Sequence, residues 1–308
     1  MLSHEDYTVG WICALPLEMG VAKMMLGETH SNLPQPATDH NAYTLGRISG
    51  HNVVIACLPS GVYGTTSAAT VGSRMKGTFP NIQFGLMVGI GGGVPCHSAD
   101  IRLGDVVVSQ RVVPYDYGKT ISGGRFQQTG TLNKPPQVLL TSIAQLQADD
   151  IGGKHSIARI LSEIHVTEAV FTSPGLEQDR LFHSAYDHVE SEDTCEKCDK
   201  QRLMCRAQRD SKEPKIHYGL IASGNQVMKD GQTRDRLAQE SGILCFEMEA
   251  AGLMDQLPSL VIRGICDYSD SHKNKKWQGY AALTAAAYGK MLLSTVPSTT
   301  KINPERGM

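Results

Sequence analysis

The sequence predicts an α/β fold of three layers, in which helices cover both faces of a central mixed sheet. Two observations carry this prediction. Segments rich in apolar and β-branched residues alternate with segments of helical spacing along most of the chain. The 308 residues, with an apolar fraction of 41%, are enough for one large α/β domain or two modest ones with a sizeable core.

The first half of the chain holds four predicted strands and one helix. The strands are apolar runs that end in turn signals, at residues 7–15, 52–61, 84–93 and 103–110. The stretch 65–79 has apolar and small residues at helical spacing, with Thr65 or Thr66 as its N-cap. The polar stretch 118–136 is predicted to be a long loop, and long loops are often functional.

The second half resumes the alternation after an interruption. Two helices are predicted at 136–146 and 154–164, followed by a charged insert that contains cysteines at about 178–214. The elements predicted after the insert are strands at 217–224, 243–248 and 260–267 and helices at 232–240, 249–257 and 280–296. We therefore expect one domain over residues 1–296 and a tail or linker over 297–308.

Charge and hydropathy argue against several classes of partner. The 29 basic and 31 acidic residues nearly cancel, so no net field favours nucleic acid or anionic lipid. No apolar stretch approaches the roughly 18 residues of a membrane helix, and the first residues lack a secretory signal pattern. Most of the eight cysteines lie in apolar segments, which predicts a reducing compartment, cytosolic or nuclear, and we expect the cytoplasm.

Three features of the sequence could bind a ligand or take part in catalysis. The turn VGIGGGV lacks the G-x-G-x-x-G spacing, so it either lets a ligand approach the backbone or makes a tight turn. Asp267 ends an apolar strand, where α/β sheets present ligand-binding residues, although an Asp that caps the next turn would look the same. Glu247 and Glu249, on either side of Met248, either bind hydroxyl groups of a ligand or cap the following helix.

Seven motifs in order indicate a family. They are ICALPLEM, PSGVYGTTSAA, VGIGGGV, LGDVVVS, ASGNQV, CFEMEAAGL and GICDYSDSH. Together they resemble the purine nucleoside phosphorylase / uridine phosphorylase superfamily, and most of all its adenosine-type and methylthioadenosine/S-adenosylhomocysteine nucleosidases. Fungal members at the N-terminus of immune-receptor-like proteins look similar too. The resemblance spans about residues 7–296 and implies a partly barrel-like sheet, no cofactor or catalytic metal, and a homo-oligomer, either a dimer or a hexamer.

The resemblance implies a role for each candidate residue. Asp267 matches the general acid that protonates N7 of the purine, and Glu18 matches the glutamate that positions the attacking water in nucleosidases. Glu249 matches the carboxylate that binds the ribose 2′ and 3′ hydroxyls, with Met248 on the ribose face and Glu247 in support. The other implied substrate contacts are Gly89, Ile90 and Gly91 in the glycine turn, Asn225, Val227 and Met228 at the base, Asp116 at the 5′ side, and Trp277.

Departures from the family pattern bear on the reaction and the base. Met87 stands where phosphorylases hold phosphate with an arginine, which favours water as the nucleophile. Val227 replaces an aromatic residue, and Trp277 either covers the base instead or belongs to the core. Asn225 replaces the Asp of adenine-specific members, so adenosine is our first choice and inosine or guanosine remain open.

The sequence allows more than one interpretation of the group at the substrate's 5′ position and of the overall function. Lys119 and Arg125, which follow Tyr115, Asp116 and Tyr117, either accept a phosphorylated ribose such as that of ATP or are solvated loop charges. We expect a purine nucleoside N-ribohydrolase that releases free base and ribose. The alternatives are a phosphate-dependent phosphorylase and a non-catalytic nucleotide-sensing module of a larger immune-type protein.

The charged insert carries a possible metal motif. Cys195, Cys198 and Cys205 follow a C-x2-C-x6-C spacing, to which His183, His188 or His217 would add a fourth ligand for zinc. The alternative is a set of free surface thiols.

Overall fold

A nine-stranded mixed sheet forms the centre of the computed structural model, which describes residues 2–96, 99–130, 132–151, 156–164, 168–189 and 194–298. The strands of the chain are β1 (Val9–Cys13), β2 (Glu28–His30), β3 (Tyr43–Ile48), β4 (His51–Cys57), β5 (Phe84–Gly93), β6 (Val106–Pro114), β7 (Gly118–Ile121), β8 (Arg125–Gln128), β9 (Ile216–Ser223), β10 (Ile243–Glu247) and β11 (Ser259–Asp267). Strands β7 and β8 form a separate hairpin, and the others follow the order β10-β9-β6-β11-β5-β1-β4-β3-β2.

One part of this sheet closes on itself. Strand β10 runs parallel to β9 and also pairs antiparallel with the end of β5, where Cys245 lies opposite Gly93. Strands β5, β11, β6, β9 and β10 therefore form a five-stranded ring, while β1 to β4 extend from β5 as an open sheet. The predicted mixed, partly barrel-like sheet is confirmed.

Helices cover the sheet on both faces. In the described residues they are α1 (Pro16–Met24), α2 (Thr65–Thr78), α3 (Gln137–Ile151), α4 (Ile157–Glu163), α5 (Gly231–Ser241), α6 (Ala250–Leu253) and α7 (Gln278–Thr295). Helix α7 packs on β11 and β5 and is flanked by α1, α3 and α4, while α2 and α6 pack together in a second core. Alternate residues of β1 serve the two cores, because Trp11 belongs to the first and Ile12 to the second. The predicted three layers are confirmed.

The structure differs from the prediction mainly where elements are short. Helix α1 and strands β2 and β3 were not predicted, and the hairpin of β7 and β8 lies inside the predicted loop. The helix predicted at 249–257 is reduced to the single turn of α6. Residues 190–193 of the insert and 299–308 of the predicted tail lie outside the described residues. No helix within the described ranges is both long and apolar enough to cross a membrane.

Candidate active site

A cleft of about 390 Å³ opens beside the glycine turn of β5. Its walls come from the segment after β1, the end of β5, the end of β10 and the end of β11 with the segment that follows. The side chains and backbone that line it include Glu18, Tyr63, Ile90, Gly91, Val227, Met228, Glu247, Met248, Glu249, Arg263, Asp267 and Lys273. Nine of the thirteen residues that the sequence marks as site candidates therefore share one cleft.

Glu18 is held in the cleft by three backbone N–H groups. Its Oε2 accepts hydrogen bonds from the N–H groups of Ala14 and Leu15 at 2.7 and 2.9 Å, and its Oε1 accepts one from Ile90 at 2.8 Å. A Cβ atom on Gly89 would lie 2.4 Å from Oε1, so only glycine at this position allows the approach. Pro16 begins helix α1 two residues before Glu18, which places the carboxylate in the first turn of the helix.

Glu247, Glu249 and Arg263 form a buried ionic cluster next to Glu18, since Arg263 donates to the backbone oxygen of Ile90, whose N–H binds Glu18. The Nη2 atom of Arg263 contacts the carboxylate of Glu247 and lies 3.2 Å from Oε2 of Glu249. Glu247 also accepts hydrogen bonds from the N–H groups of Glu249 and Ala250, at 3.1 Å each. Because all three side chains are buried, each charge depends on the others for compensation.

Burial sets the protonation of this cluster. It raises the pKa of Glu249 to about 7, against the opposing effect of Arg263, while the negative charges of Glu247 and Glu18 raise that pKa further. Burial also raises the pKa of Glu18, although Arg263 and the backbone N–H groups oppose the rise. Burial thus brings the pKa of Glu249 to the neutral range and shifts the pKa of Glu18 in the same direction.

Asp267 stands at the end of β11, where the chain turns sharply. Its Oδ1 accepts a hydrogen bond from the N–H of Ser269 at 2.9 Å, and its Oδ2 lies 2.9 Å from Nζ of Lys273. Ser269 adopts φ +54°, a backbone conformation that is strained for a residue with a side chain and is frequent at functional sites. A Cβ atom on Gly92 would lie 2.1 Å from Ser269 Oγ, so this turn packs against the glycines of β5.

The mouth of the cleft is apolar. Val227 is 48% exposed and Tyr63 is 51% exposed, and both line the opening with Met228. Met87, by contrast, is fully buried in the core on the α2 face. Tyr63 is therefore the aromatic side chain at the mouth, on a wall of the cleft that the sequence analysis did not consider.

Four predicted residues do not line the cleft. Gly89 lies beneath it against Glu18, and Asp116 accepts a hydrogen bond from Asn225 N at 2.7 Å. The Oδ1 atom of Asn225 accepts hydrogen bonds from the N–H and hydroxyl of Thr65, both at 3.0 Å, at the start of α2. Trp277 is 2% exposed and donates from Nε1 to the backbone oxygen of Gln178 at 3.2 Å. In this conformation Asn225 stabilises a helix end and Trp277 is part of the core.

Tyr115, Asp116, Tyr117 and Lys119, the 5′ candidates whose side chains are described, do not line the cleft. The hydroxyl of Tyr115 donates to the backbone oxygen of Gln226, beside Val227, so it supports the mouth from outside. Tyr117 and Lys119 are exposed on the hairpin of β7 and β8. The side chain of Arg125 lies outside the described residues.

Arg263, Lys273 and Lys275 are charged residues that line the cleft and that the sequence did not single out. Arg263 is the one charge in the interior of the strand SLVIRGICD, which ends at Asp267, and all nine residues of that strand are buried. A charge in such a run needs a buried partner of opposite sign, and this signal could have linked it to Glu247 and Glu249. Lys273 had no comparable signal, because it lies in a polar segment.

Three relatives resemble this chain in sequence. A nucleotide-binding leucine-rich repeat (NLR)-like protein of Hyaloscypha variabilis is 49% identical over 99% of this chain, which spans only 31% of that longer protein. A 5′-methylthioadenosine/S-adenosylhomocysteine nucleosidase of Mycobacterium tuberculosis is 24% identical over 95% of this chain and 98% of its own length. ATP nucleosidase Cap17 of Escherichia coli is 24% identical over 89% of this chain and 48% of its own length.

Solved structures share the fold. Futalosine hydrolase of Helicobacter pylori superposes with a TM-score of 0.60 over 94% of this chain and 99% of its own, at 16% sequence identity. The family model of the phosphorylase superfamily matches residues 8–288, which include every residue that lines the cleft. The fold, the cleft and this match agree, and the chain belongs to the phosphorylase superfamily.

Proposed function

We propose that this chain is a purine nucleoside N-ribohydrolase, which breaks the N-glycosidic bond of an adenosine-type nucleoside to give free base and ribose. One observation carries the proposal: Glu18, Glu249 and Asp267 come from three distant parts of the chain and line the same cleft. A hydrolytic nucleosidase needs a proton donor for the base, a group that binds the ribose and a group that orients water, and these three carboxyl groups supply one each.

Asp267 acts on the base. When the glycosidic bond breaks, electrons flow into the purine ring, and N7 takes the proton of the Asp267 carboxyl group. The transfer leaves a carboxylate. The Nζ atom of Lys273, 2.9 Å from Oδ2, stabilises it, and the N–H of Ser269 donates a hydrogen bond to Oδ1. The base thus leaves as a neutral molecule.

Glu249 acts on the ribose. An ionised carboxylate accepts hydrogen bonds from two adjacent hydroxyls, and its charge stabilises the positive charge that develops on the sugar. Glu247, through its contacts with Arg263 and the N–H of Glu249, holds this carboxylate in place. Met248 provides the apolar surface between the two carboxylates.

Glu18 orients the nucleophile, and the charges of the cleft favour water over phosphate. Arg263 and Lys273 are each paired with carboxylates, Lys275 lines the cleft as an exposed lysine with a single ammonium group, and Met87 is buried where a phosphate-binding arginine would stand. A phosphate dianion in this cleft would face Glu18 and Glu249 without a free bidentate partner among the described residues. Water carries no such penalty, and Glu18 accepts its proton as the C–O bond forms.

Adenosine is our first choice of substrate, and a 5′-phosphorylated form is the main alternative. Two of the relatives are named for nucleosides or nucleotides of adenine. The apolar mouth formed by Tyr63, Val227 and Met228 suits a flat purine ring. Inosine and guanosine are the other purine nucleosides to compare.

The experiment is a product assay on adenosine, inosine, guanosine and ATP in phosphate-free buffer. Adenine and free ribose should appear without phosphate, and added phosphate should not change the rate. Release of base only after phosphate is added, with ribose 1-phosphate as the second product, would make the chain a phosphorylase. Asp255→Asn serves as the matched control for Asp267→Asn, because Asp255 is exposed and contacts Asn133 outside the cleft.

A second candidate function is nucleotide sensing without turnover. It is favoured by the resemblance to an NLR-like protein of which this chain matches 31%. Tight binding of adenosine or ATP, with no product and no change in affinity in Asp267→Asn, would support it. We also expect a homo-oligomer, which light scattering of the purified chain will test.

A further inference from the structure

The charged insert brings three metal-binding side chains together. One ligand atom each of His188, Cys195 and Cys198 lies within 4.8 Å of the other two. Of the predicted motif, Cys205 is exposed and outside this group, and Nε2 of His217 lies 2.9 Å from Asp105 instead. The structure thus selects two cysteines and one histidine from the six residues that the sequence offered.

The two cysteines of the group lie in a buried environment and not on the open surface. Cys195 and Cys198 are 9% and 5% exposed and pack with Phe182, Tyr186 and Leu203. Two thiols so placed are not the free surface thiols that the sequence left as an alternative. Their C-x2-C spacing brings both sulfurs to one side of a tight turn, as in structural zinc sites.

A further nitrogen donor lies near the group, although its ring nitrogens are outside the set of ligand atoms that lie within 4.8 Å of one another. The ring of His272 is 5% exposed, and within the described residues both of its nitrogens lack a hydrogen-bond partner. It stacks on Phe182 with ring centroids 4.1 Å apart, and its centroid lies 5.5 Å from that of His188. Buried polar atoms without partners are uncommon, and their presence beside a ligand cluster points to a bound ion.

We propose that His188, Cys195 and Cys198 bind one zinc ion, and that the ring of His272 moves closer to become its fourth ligand. In a tetrahedral site with Zn–S of about 2.3 Å and Zn–N of about 2.0 Å, ligand atoms lie roughly 3.5–3.8 Å apart. The three atoms therefore need to close by about 1 Å at most from their present limit of 4.8 Å. Two thiolates and two imidazoles favour zinc over magnesium or calcium, which prefer oxygen ligands. The two thiols lose their protons to solvent as the Zn–S bonds form.

Such an ion would join the insert to the segment that follows Asp267. The N–H of His188 donates to Ser271 Oγ at 3.0 Å, so the insert already contacts this segment. The next residue, Lys273, is the partner of Asp267. The zinc ion is structural, and it positions the lysine from behind the cleft without contacting substrate.

The test begins with the metal content of the full chain, purified without chelator and measured by mass spectrometry of the elements. We expect about one zinc ion per chain in the wild type and in Cys205→Ser, the matched control, and a loss of most of it in Cys198→Ser and His188→Ala. His272→Ala should bind zinc more weakly than the wild type in competition with a chromogenic chelator.

A second measurement uses the wild type, so it tests the proposal even if the variants fail to fold. The wild type reloaded with Co²⁺ should show a thiolate-to-cobalt charge-transfer band and the visible bands of a tetrahedral site. A wild type that holds no zinc and shows no such bands would overturn the proposal. So would a Cys195–Cys198 disulfide found in the freshly purified chain, or equal loss of zinc from Cys205→Ser and Cys198→Ser.

Discussion

Replacing Glu249 by Gln should make the protein more stable above neutral pH while lowering its activity. The carboxylate is buried, and its pKa is raised from 4.5 to about 7, chiefly by burial. A group whose pKa is raised in the folded state stabilises that state below its unfolded pKa, and the contribution is lost as pH rises through the folded value. The wild type should therefore lose stability between about pH 4.5 and pH 7 through this one residue.

The size of the effect follows from the two pKa values. Their difference corresponds to about 3 kcal/mol at pH 8 and above, since one pKa unit is worth about 1.4 kcal/mol. Gln resembles the protonated carboxyl group in shape and cannot ionise, so the variant avoids this loss. For a chain of this length, 3 kcal/mol corresponds to a Tm difference of roughly 5 °C.

Thermal unfolding measured by circular dichroism at pH 5 and at pH 8.5 tests this reasoning. The wild type and Glu249→Gln should unfold at similar temperatures at pH 5, and the variant should be roughly 5 °C more stable at pH 8.5. Glu240→Gln is the control, because Glu240 is exposed on α5 and pairs with Arg236 at 3.3 Å. A variant that is equally destabilised at both pH values would refute the argument, since it would mean that the contact with Arg263 outweighs burial.

The remaining predictions concern turnover, the ionic cluster and the metal. Asp267→Asn should lower turnover of adenosine by about 10²–10⁴, which a steady-state base-release assay will measure, and full activity would exclude Asp267 as the acid. Turnover of the wild type should rise with an apparent pKa near 7 as Glu249 ionises, and this limb of the pH profile should be absent in Glu249→Gln. Arg263→Met should cost about 3–5 kcal/mol in chemical denaturation, because it leaves two buried carboxylates without a cation. Removing zinc with a chelator should lower turnover in the wild type and leave it unchanged in an already zinc-free Cys198→Ser.

The long apolar elements of the fold could be predicted from the sequence, and the short polar ones could not. Strand β5 and helix α2 begin at the predicted residues, because their periodicity is local. The predicted N-cap of α2 was wrong, since Gly64 and not Thr65 or Thr66 occupies that position, with no side-chain cap hydrogen bond. Helix α1 was missed although Pro16 and Glu18 mark its first turn, since its nine residues follow directly on β1. Strands β2 and β3 depend on pairing with β4 rather than on their own composition.

The residues of the site also separate into those that sequence motifs predict and those whose environment depends on distant contacts. Motif order was enough to bring Glu18, Glu249 and Asp267 into one hypothesis, and they do line one cleft. The environment of Asn225 depends on Thr65, which is 160 residues away, and the burial of Trp277 depends on Gln178 in the insert. Contacts of this kind arise from packing between segments that are distant in the sequence, so no local sequence pattern predicts them.

The five-stranded ring also affects whether copies of the molecule can associate through the edges of their sheets. An ordinary open sheet exposes two edge strands, whose unpaired N–H and C=O groups can recruit the strands of other chains. Because β10 returns to β5, the described nine-stranded sheet ends at β2, which is three residues long and carries the exposed Glu28. Short, charged edges discourage strand addition. The same closure that shapes the cleft thus protects a β-rich chain against aggregation through its sheet edges.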